Sequence, residues 1–449
     1  GISTAIVYHL YGALARKDEA EIASLMNLYR KAYHVFAVLV FAAGMAVLPF
    51  IHLFMKNNSY SLSYIRVLYA MWLVRTVLSY LLTYRKSLLI ADQKEYIASI
   101  TGLILNVVSY LAIILLVTWE QNYLLALGIG TVTEVVLNIW ISWYVEQKYP
   151  FLRQRRKEKS TSSLTKRIVR DLKSLFISRI SEKMLYCTDN LIISGFIGVG
   201  TVGRYANYCM ITQAISNILT ILANTIQPTV GDYFTEKNRQ RNYEILRQLT
   251  FGFFCIASVV SVGLFSLITP FVRDIWLGPS YELGWGITVF CIVVLLVRIM
   301  GLPLSLVMGV TGLFEKEKNV GASSALLNLI VSLALVKPYG MAGVLLGTLL
   351  SYLLQILYRY IIYFRDFLEM PGEALRYAQD IGEYLAVIAG EVLLMQKIVP
   401  LIYGAGGMLL FCVCFLLCIA IPLLLDLVIF GRGWRLQSIV TMVKGMRKA

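Results

Sequence analysis

Arg179, Glu182, Lys183, Tyr186, Asp189 and Asn190 recur at i, i+3, i+4, i+7, i+10 and i+11 within the apolar run LKSLFISRISEKMLYCTDNLIISGFIG. Helical periodicity puts all six on one face. A charged side chain at the centre of a bilayer costs about 3 kcal/mol on insertion scales unless it faces protein or water. The stripe therefore lines a cavity or a helix contact, and two readings stay open. In one, Arg179 or Lys183 pairs with Glu182 or Asp189 and the set cements a helix bundle. In the other, the cations hold an anionic substrate and the acids hold a coupling ion.

Further ionisable residues lie at the same depth. Arg75 sits mid-span in 61–84 and Arg298 mid-span in 283–309, each with no acid within four positions on its own helix. Neither is placed to snorkel to a helix end, so each needs a partner from another helix, water or ligand. Both are substrate-binding candidates, with Arg179, Lys183 and Asn190. The ion-coupling candidates are Glu134 (with Asn138 one turn on), Glu182, Asp189 and Glu391. Pro303, with Gly301 nearby, could bend the helix that carries Arg298. The seven cysteines form no CxxC pair, and His9, His34 and His52 are far apart in sequence. No metal site and no cofactor is expected, beyond a coupling H+ or Na+.

The elements that must position these residues are membrane helices. The chain is 58% hydrophobic and only 15% charged, with a mean hydropathy of +0.70. A soluble domain carries about 25% charged residues. Twelve stretches are apolar and long enough to cross a bilayer as helices. They cover 32–55, 61–84, 97–118, 122–145, 172–198, 203–227, 248–271, 283–309, 319–336, 339–363, 379–399 and 404–430. Residues 1–14 read as the tail of a further span.

The formal net charge of +15 concentrates in alternate connections and does not point to nucleic acid. Segments 15–31, 85–96, 146–171, 228–247, 310–318, 364–378 and 431–449 are rich in Lys and Arg. The connections between them hold only Lys56, Arg273 and Lys337. The positive-inside rule then puts the C-terminus in the cytoplasm. Run backwards, the alternation predicts one span before residue 1, and fourteen helices with both ends inside. The expected fold class is an all-α polytopic membrane protein, with thirteen of the fourteen helices visible (twelve full and one truncated). The domains expected are an N-terminal lobe over 1–145, a basic cytoplasmic linker over 146–171 and a C-terminal lobe over 172–364. An extra helix pair over 379–430 and a cytoplasmic tail over 431–449 complete the chain. Six helices in each lobe start on the same side of the membrane, as parallel repeats do. Gly343 and Gly347, four apart, predict a close helix approach.

The outward connections are too short to hold a catalytic domain, and there is no Walker A sequence. The expectation is a transporter and not an enzyme. Transport would be driven by a gradient or by downhill flow of substrate.

The motifs carry a resemblance. GISTAIVYHLYGALARKDEAEI at the start, YRKSLLIADQKEYI at 84–97, TDNLIISGFIGVGTVGRYANY at 188–208, FVRDIWLG at 271–278, GLFEKEKN at 312–319 and LLNLIVSLALVKPYGMAGVLLGT at 326–348 occur in that order. Together they resemble the bacterial polysaccharide and O-antigen flippases of the multidrug/oligosaccharidyl-lipid/polysaccharide exporter superfamily, over nearly the whole chain. The resemblance implies two six-helix lobes in a V plus a closing helix pair, in the bacterial inner membrane. It implies a lipid-linked oligosaccharide substrate, a sugar repeat on undecaprenyl pyrophosphate, moved to the outer leaflet by alternating access. It implies a cationic cavity, for which Arg75, Arg179, Lys183 and Arg298 match by depth, while Asp189-Asn190 matches the family's seventh-helix motif. The implied partners are the bilayer, the lipid-linked substrate, and glycosyltransferases and a polymerase of the same pathway. A flippase for the lipid-linked peptidoglycan precursor and a cation-coupled drug antiporter of the superfamily are the rival readings. A non-transporting membrane scaffold is a third.

Overall fold

Helix boundaries in this chain are set by capping residues, and several lie outside the apolar stretches. The structure is a computed structural model that describes residues 10–56, 60–153, 187–233, 238–404 and 406–431, with Gly12, Ala15, Gln121 and Gly312 excepted. Among the described residues there are helices and turns and no strand. Asp18 caps the first long helix, α1 (Glu19–Val47), by accepting from the Glu21 N–H at 2.9 Å. Acids in that first turn favour the positive end of the helix dipole. Ile22, Leu25, Met26 and Tyr29 bury one face of its opening turns. The segment 15–31, expected as a connection, is therefore mostly helix, and α1 starts well before residue 32.

Similar corrections recur at other basic segments. The helix α2 (Leu62–Thr83) is followed by the short α3 (Lys86–Ala91), which occupies part of 85–96. The helices α4 (Glu95–Glu120) and α5 (Tyr123–Lys148) complete the first compact unit, residues 1–180. In the second unit, residues 181–449, a helix α6 is described over 187–196. It is followed by α7 (Val199–Tyr233) and α8 (Arg239–Pro270), which between them fill most of 228–247. Asn238 caps α8 by accepting from the Arg241 N–H at 3.2 Å. Then come α9 (Trp285–Val310), α10 (Phe314–Tyr339), α11 (Met341–Ile361), α12 (Pro371–Tyr403) and α13 (Met408–Phe430). A wider turn over Ile362–Leu368 joins α11 to α12, so 364–378 is also largely helical. The common cause is that polar, well-capped turns continue a membrane helix beyond the apolar core.

Ten helices among the described residues are long and apolar enough to cross a membrane. They correspond to the expected spans except two. The helix α2 forms over most of 61–84 but is not among the ten. Most of 172–198 lies outside the described residues. The chain is a polytopic all-α membrane protein.

The second unit has a large core in which α8 packs against both α12 and α13. Phe254 stacks on Tyr384 with ring centroids 4.5 Å apart, and Phe430 meets both rings edge-on. At one end of this contact Arg247 of α8 binds Asp380 of α12 in a two-bond fork of 2.6 and 3.0 Å. That geometry gives direction as well as charge pairing. Arg247 also lies over the Tyr243 ring.

Candidate functional sites

In the second unit, α10 and α11 meet through a stripe of small residues, beside the helix that carries Asp189. A methyl group at Gly343 would sit 2.3 Å from the Leu335 carbonyl oxygen. One at Gly347 would sit 2.4 Å from the Ser332 hydroxyl. The two glycines therefore let the helix backbones approach as the sequence predicted. The approach brings Asn328 of α10 beside Thr348 of α11. Asn328 Nδ2 donates to Thr348 Oγ1 at 2.8 Å, and Thr348 donates to Asp189 Oδ2 at 2.7 Å. Asn328 Nδ2 also lies 3.5 Å from Asp189 Oδ1, and Thr188 donates to Asn328 Oδ1 at 3.0 Å. The Val344 carbonyl takes a bond from Ser332 at 3.2 Å.

Asp189, Asn328, Ser332 and Thr348 are all buried. The node thus gathers a carboxylate, two hydroxyls and an amide in a dry place. Oxygen donors around one negative charge suit a small hard cation or a proton. Asn328 can turn its amide oxygen toward such an ion, because the two ends of the amide are interchangeable in shape. Asn328 and Thr348 were missed in the sequence reading. The signal was there: a polar residue in an apolar run, opposite a Gly-x-x-x-Gly face.

In the first unit, α2 and α5 are joined by a ladder of polar contacts. Arg75 Nε donates to Glu134 Oε2 at 2.6 Å. Asn138, one turn beyond Glu134, accepts from Thr83 at 3.3 Å and donates to the Glu134 carbonyl at 2.9 Å. Arg85 pairs with Glu146 at 2.5 Å. The Arg75 guanidinium lies 5.1 Å over the Trp72 ring. An added methyl at Gly130 would come within 3.3 Å of Arg75 Nη1, so the glycine leaves room for the guanidinium. Arg75 and Glu134, read separately as a substrate cation and a coupling acid, form one pair. Each keeps roughly a third of its side chain exposed, so the pair still has a face from which a ligand could be met.

The remaining candidates are scattered. Arg298 of α9 lies 5.5 Å over the Tyr352 ring of α11. Asn190 is exposed while its neighbour Asp189 is buried. Glu391 of α12 is buried and accepts from Ser258 of α8 at 2.6 Å. Arg179, Glu182 and Lys183 lie outside the described residues.

At the connection after α3, outside the spans, Asp92 takes hydrogen bonds from Lys94 and from the Tyr149 hydroxyl. Burial alone would raise the Asp92 carboxyl, but the two bonds and the Lys94 charge outweigh it and hold it below the ordinary value. The same bond to Asp92 raises Lys94. Tyr149 is raised chiefly by burial, with the carboxylate adding to it.

Comparison with known proteins places this architecture. No curated protein matches the chain. Among solved structures, the lipid II flippase MurJ in an inward closed conformation is similar at 14% identity and a TM-score of 0.64, over 96% of this chain and 90% of that one. The Vibrio cholerae MATE transporter VcmN, as a point mutant, is similar at 12% identity and a TM-score of 0.51, over 82% of this chain and 84% of that one. At such identities the likeness speaks for the fold. The family model described as polysaccharide biosynthesis protein matches residues 10–234, half of the chain. The chain belongs to that family of polysaccharide biosynthesis proteins.

Proposed function

We propose that the protein is a flippase that moves undecaprenyl-pyrophosphate-linked oligosaccharide repeat units from the inner to the outer leaflet by alternating access. The observation that carries the reading is family membership over residues 10–234, combined with a polytopic helical fold like that of a lipid flippase. Guanidinium groups at membrane depth fit the pyrophosphate, since charge-assisted bonds offset part of the cost of drying an anion. Arg75 and Arg298, each resting on an aromatic ring, are the described groups of this kind. Arg179, Lys183 and Asn190 complete the proposed set from the sequence. The Asp189 node, with Asn328 and Thr348, is the proposed seat of a coupling cation, H+ or Na+. The protein acts as a transporter and not as an enzyme, in the bacterial inner membrane with a cytoplasmic C-terminus. It works beside the glycosyltransferases and polymerase of its pathway.

A second reading has a specific observation behind it. The MurJ likeness favours the lipid-linked peptidoglycan precursor, whose polyprenyl pyrophosphate has the same anionic chemistry. Proteoliposomes given both substrates at equal concentration separate the two. Faster movement of the oligosaccharide carrier supports the first reading, and faster movement of the peptidoglycan precursor replaces it with the second.

A further inference from the structure

Two of the most deeply buried acids in the second unit lie one on each helix of the closing pair. Glu391 of α12 is 3% exposed and Asp426 of α13 is 4% exposed. Asp426 lies in the electrostatic field of Glu391 and within reach of the Ser258 hydroxyl. Both helices pack on α8, which supplies Ser258 (0% exposed) to the same spot. The Ser258 hydroxyl donates to Glu391 Oε2 at 2.6 Å. Its one proton is then used. Glu391 Oε1 and both Asp426 carboxylate oxygens have no hydrogen-bond partner among the described residues.

The charge balance makes this arrangement more than a packing detail. Cys255 of α8 is the other titratable group in this field, and no Lys or Arg among the described residues contributes to it at either carboxyl. Two ionised carboxylates would leave a net charge of −2 in a dry helix contact with one hydroxyl for support. Even a single unpaired ion there carries a heavy desolvation cost. Something positive must enter. Five oxygens, four of them carboxylate, give a metal ion little beyond the acids themselves, since helix carbonyls are already bonded. A proton needs no coordination shell and satisfies two orphan acceptors at once.

An aromatic plug closes one side. Phe254 precedes Ser258 by one turn, Tyr384 precedes Glu391 by two, and Phe430 follows Asp426 by one. These three rings contact one another at the end of the helices that carries Arg239 and Pro371. Pro422, one turn before Asp426, lacks the N–H that would bond the carbonyl of residue 418, and so loosens α13 beside the site.

We propose that Glu391, Asp426 and Ser258 form a proton-binding site in the closing helix pair, separate from the Asp189 node. Bound protons let the two carboxyls bond to each other and to Ser258, and α12 and α13 stay seated on α8. Loss of those protons sets like charges against each other and loosens the pair. The site does not depend on which lipid-linked substrate the protein moves.

Infrared spectroscopy of the full chain in liposomes tests this through the stretch of protonated carboxyl groups. The expected result is a band that shifts in D2O and weakens stepwise in Glu391→Gln and Asp426→Asn. Ser258→Ala keeps both acids and moves the band without removing it, which preserves the test if an acid variant does not fold. A band unchanged in all three variants overturns the proposal. Loss of the variant-sensitive band on adding Na+ at constant pH also overturns it, because the site would then hold the metal ion.

Discussion

Arg75 and Glu134, far apart in sequence and on different helices, meet at 2.6 Å between Nε and Oε2. The pair neutralises two charges that neither α2 nor α5 could carry alone at this depth. It leaves the guanidinium fixed against Trp72 with about a third of each side chain exposed. A double-mutant cycle with Arg75→Ala and Glu134→Ala, read by thermal melting in detergent, is expected to give a coupling energy on the order of 1 kcal/mol. Transport should fall in Arg75→Ala and recover poorly in Arg75→Lys, because a lysine cannot reproduce the planar contact with the tryptophan.

Asp189 gives a sharper prediction. Asp189→Asn keeps the shape of the node and removes its charge, so cation dependence of transport should weaken by roughly tenfold or more. Thr348→Val should act in the same direction, since it deletes the hydroxyl that holds Asp189 Oδ2. The measurement is initial rate against imposed Na+ and H+ gradients in proteoliposomes. Equal gradient response in the wild type and Asp189→Asn would remove the node from the coupling step.

Gly347 tests how the node is assembled. A methyl group there meets the Ser332 hydroxyl at 2.4 Å and the Asn328 carbonyl at 3.1 Å. Gly347→Ala should force α10 and α11 apart and cost about 1–3 kcal/mol, the range for overpacking a tight contact. The melting temperature should fall. Gly200→Ala, where the added methyl meets open space, should leave it nearly unchanged.

Asp92 links stability to acid. Its carboxyl is held below its ordinary value by Lys94 and Tyr149. Its contribution is therefore present above the unfolded value, about 3.9, and is lost as the pH falls through the lower folded value. Asp92→Asn should lower the midpoint of thermal unfolding at pH 7 by an amount worth about 1 kcal/mol or less. The gap between variant and wild type should close at strongly acidic pH. A gap that persists there would mean that the residue acts through packing and not through its charge.

The membrane character, the approximate spans and the Gly343/Gly347 contact were legible because each depends on local pattern. Apolar length sets a span, and small residues four apart mark a close approach. What was hidden depended on pairing across helices. Arg75 and Glu134 could each be seen as costly at depth, but nothing in the spacing said that they neutralise one another. Asp189 was visible as a lone acid, whereas its partners Asn328 and Thr348 come from helices brought together by folding. Glu391 was visible, and Asp426 was not, because it lies near the end of an apolar helix where an acid normally reaches water. The starts of α1 and α8 were missed for a local reason: Asp18 and Asn238 extend these helices into basic segments that read as loops.

The most direct measurement is translocation of a fluorescent undecaprenyl-pyrophosphate oligosaccharide in proteoliposomes, with and without a cation gradient. Movement above that of empty vesicles, raised by the gradient, reduced in Arg75→Ala and with its gradient response weakened in Asp189→Asn, is the expected result. No movement of that lipid, with efflux of a cationic dye from the same vesicles, would contradict the flippase reading and make the protein a cation-coupled drug antiporter.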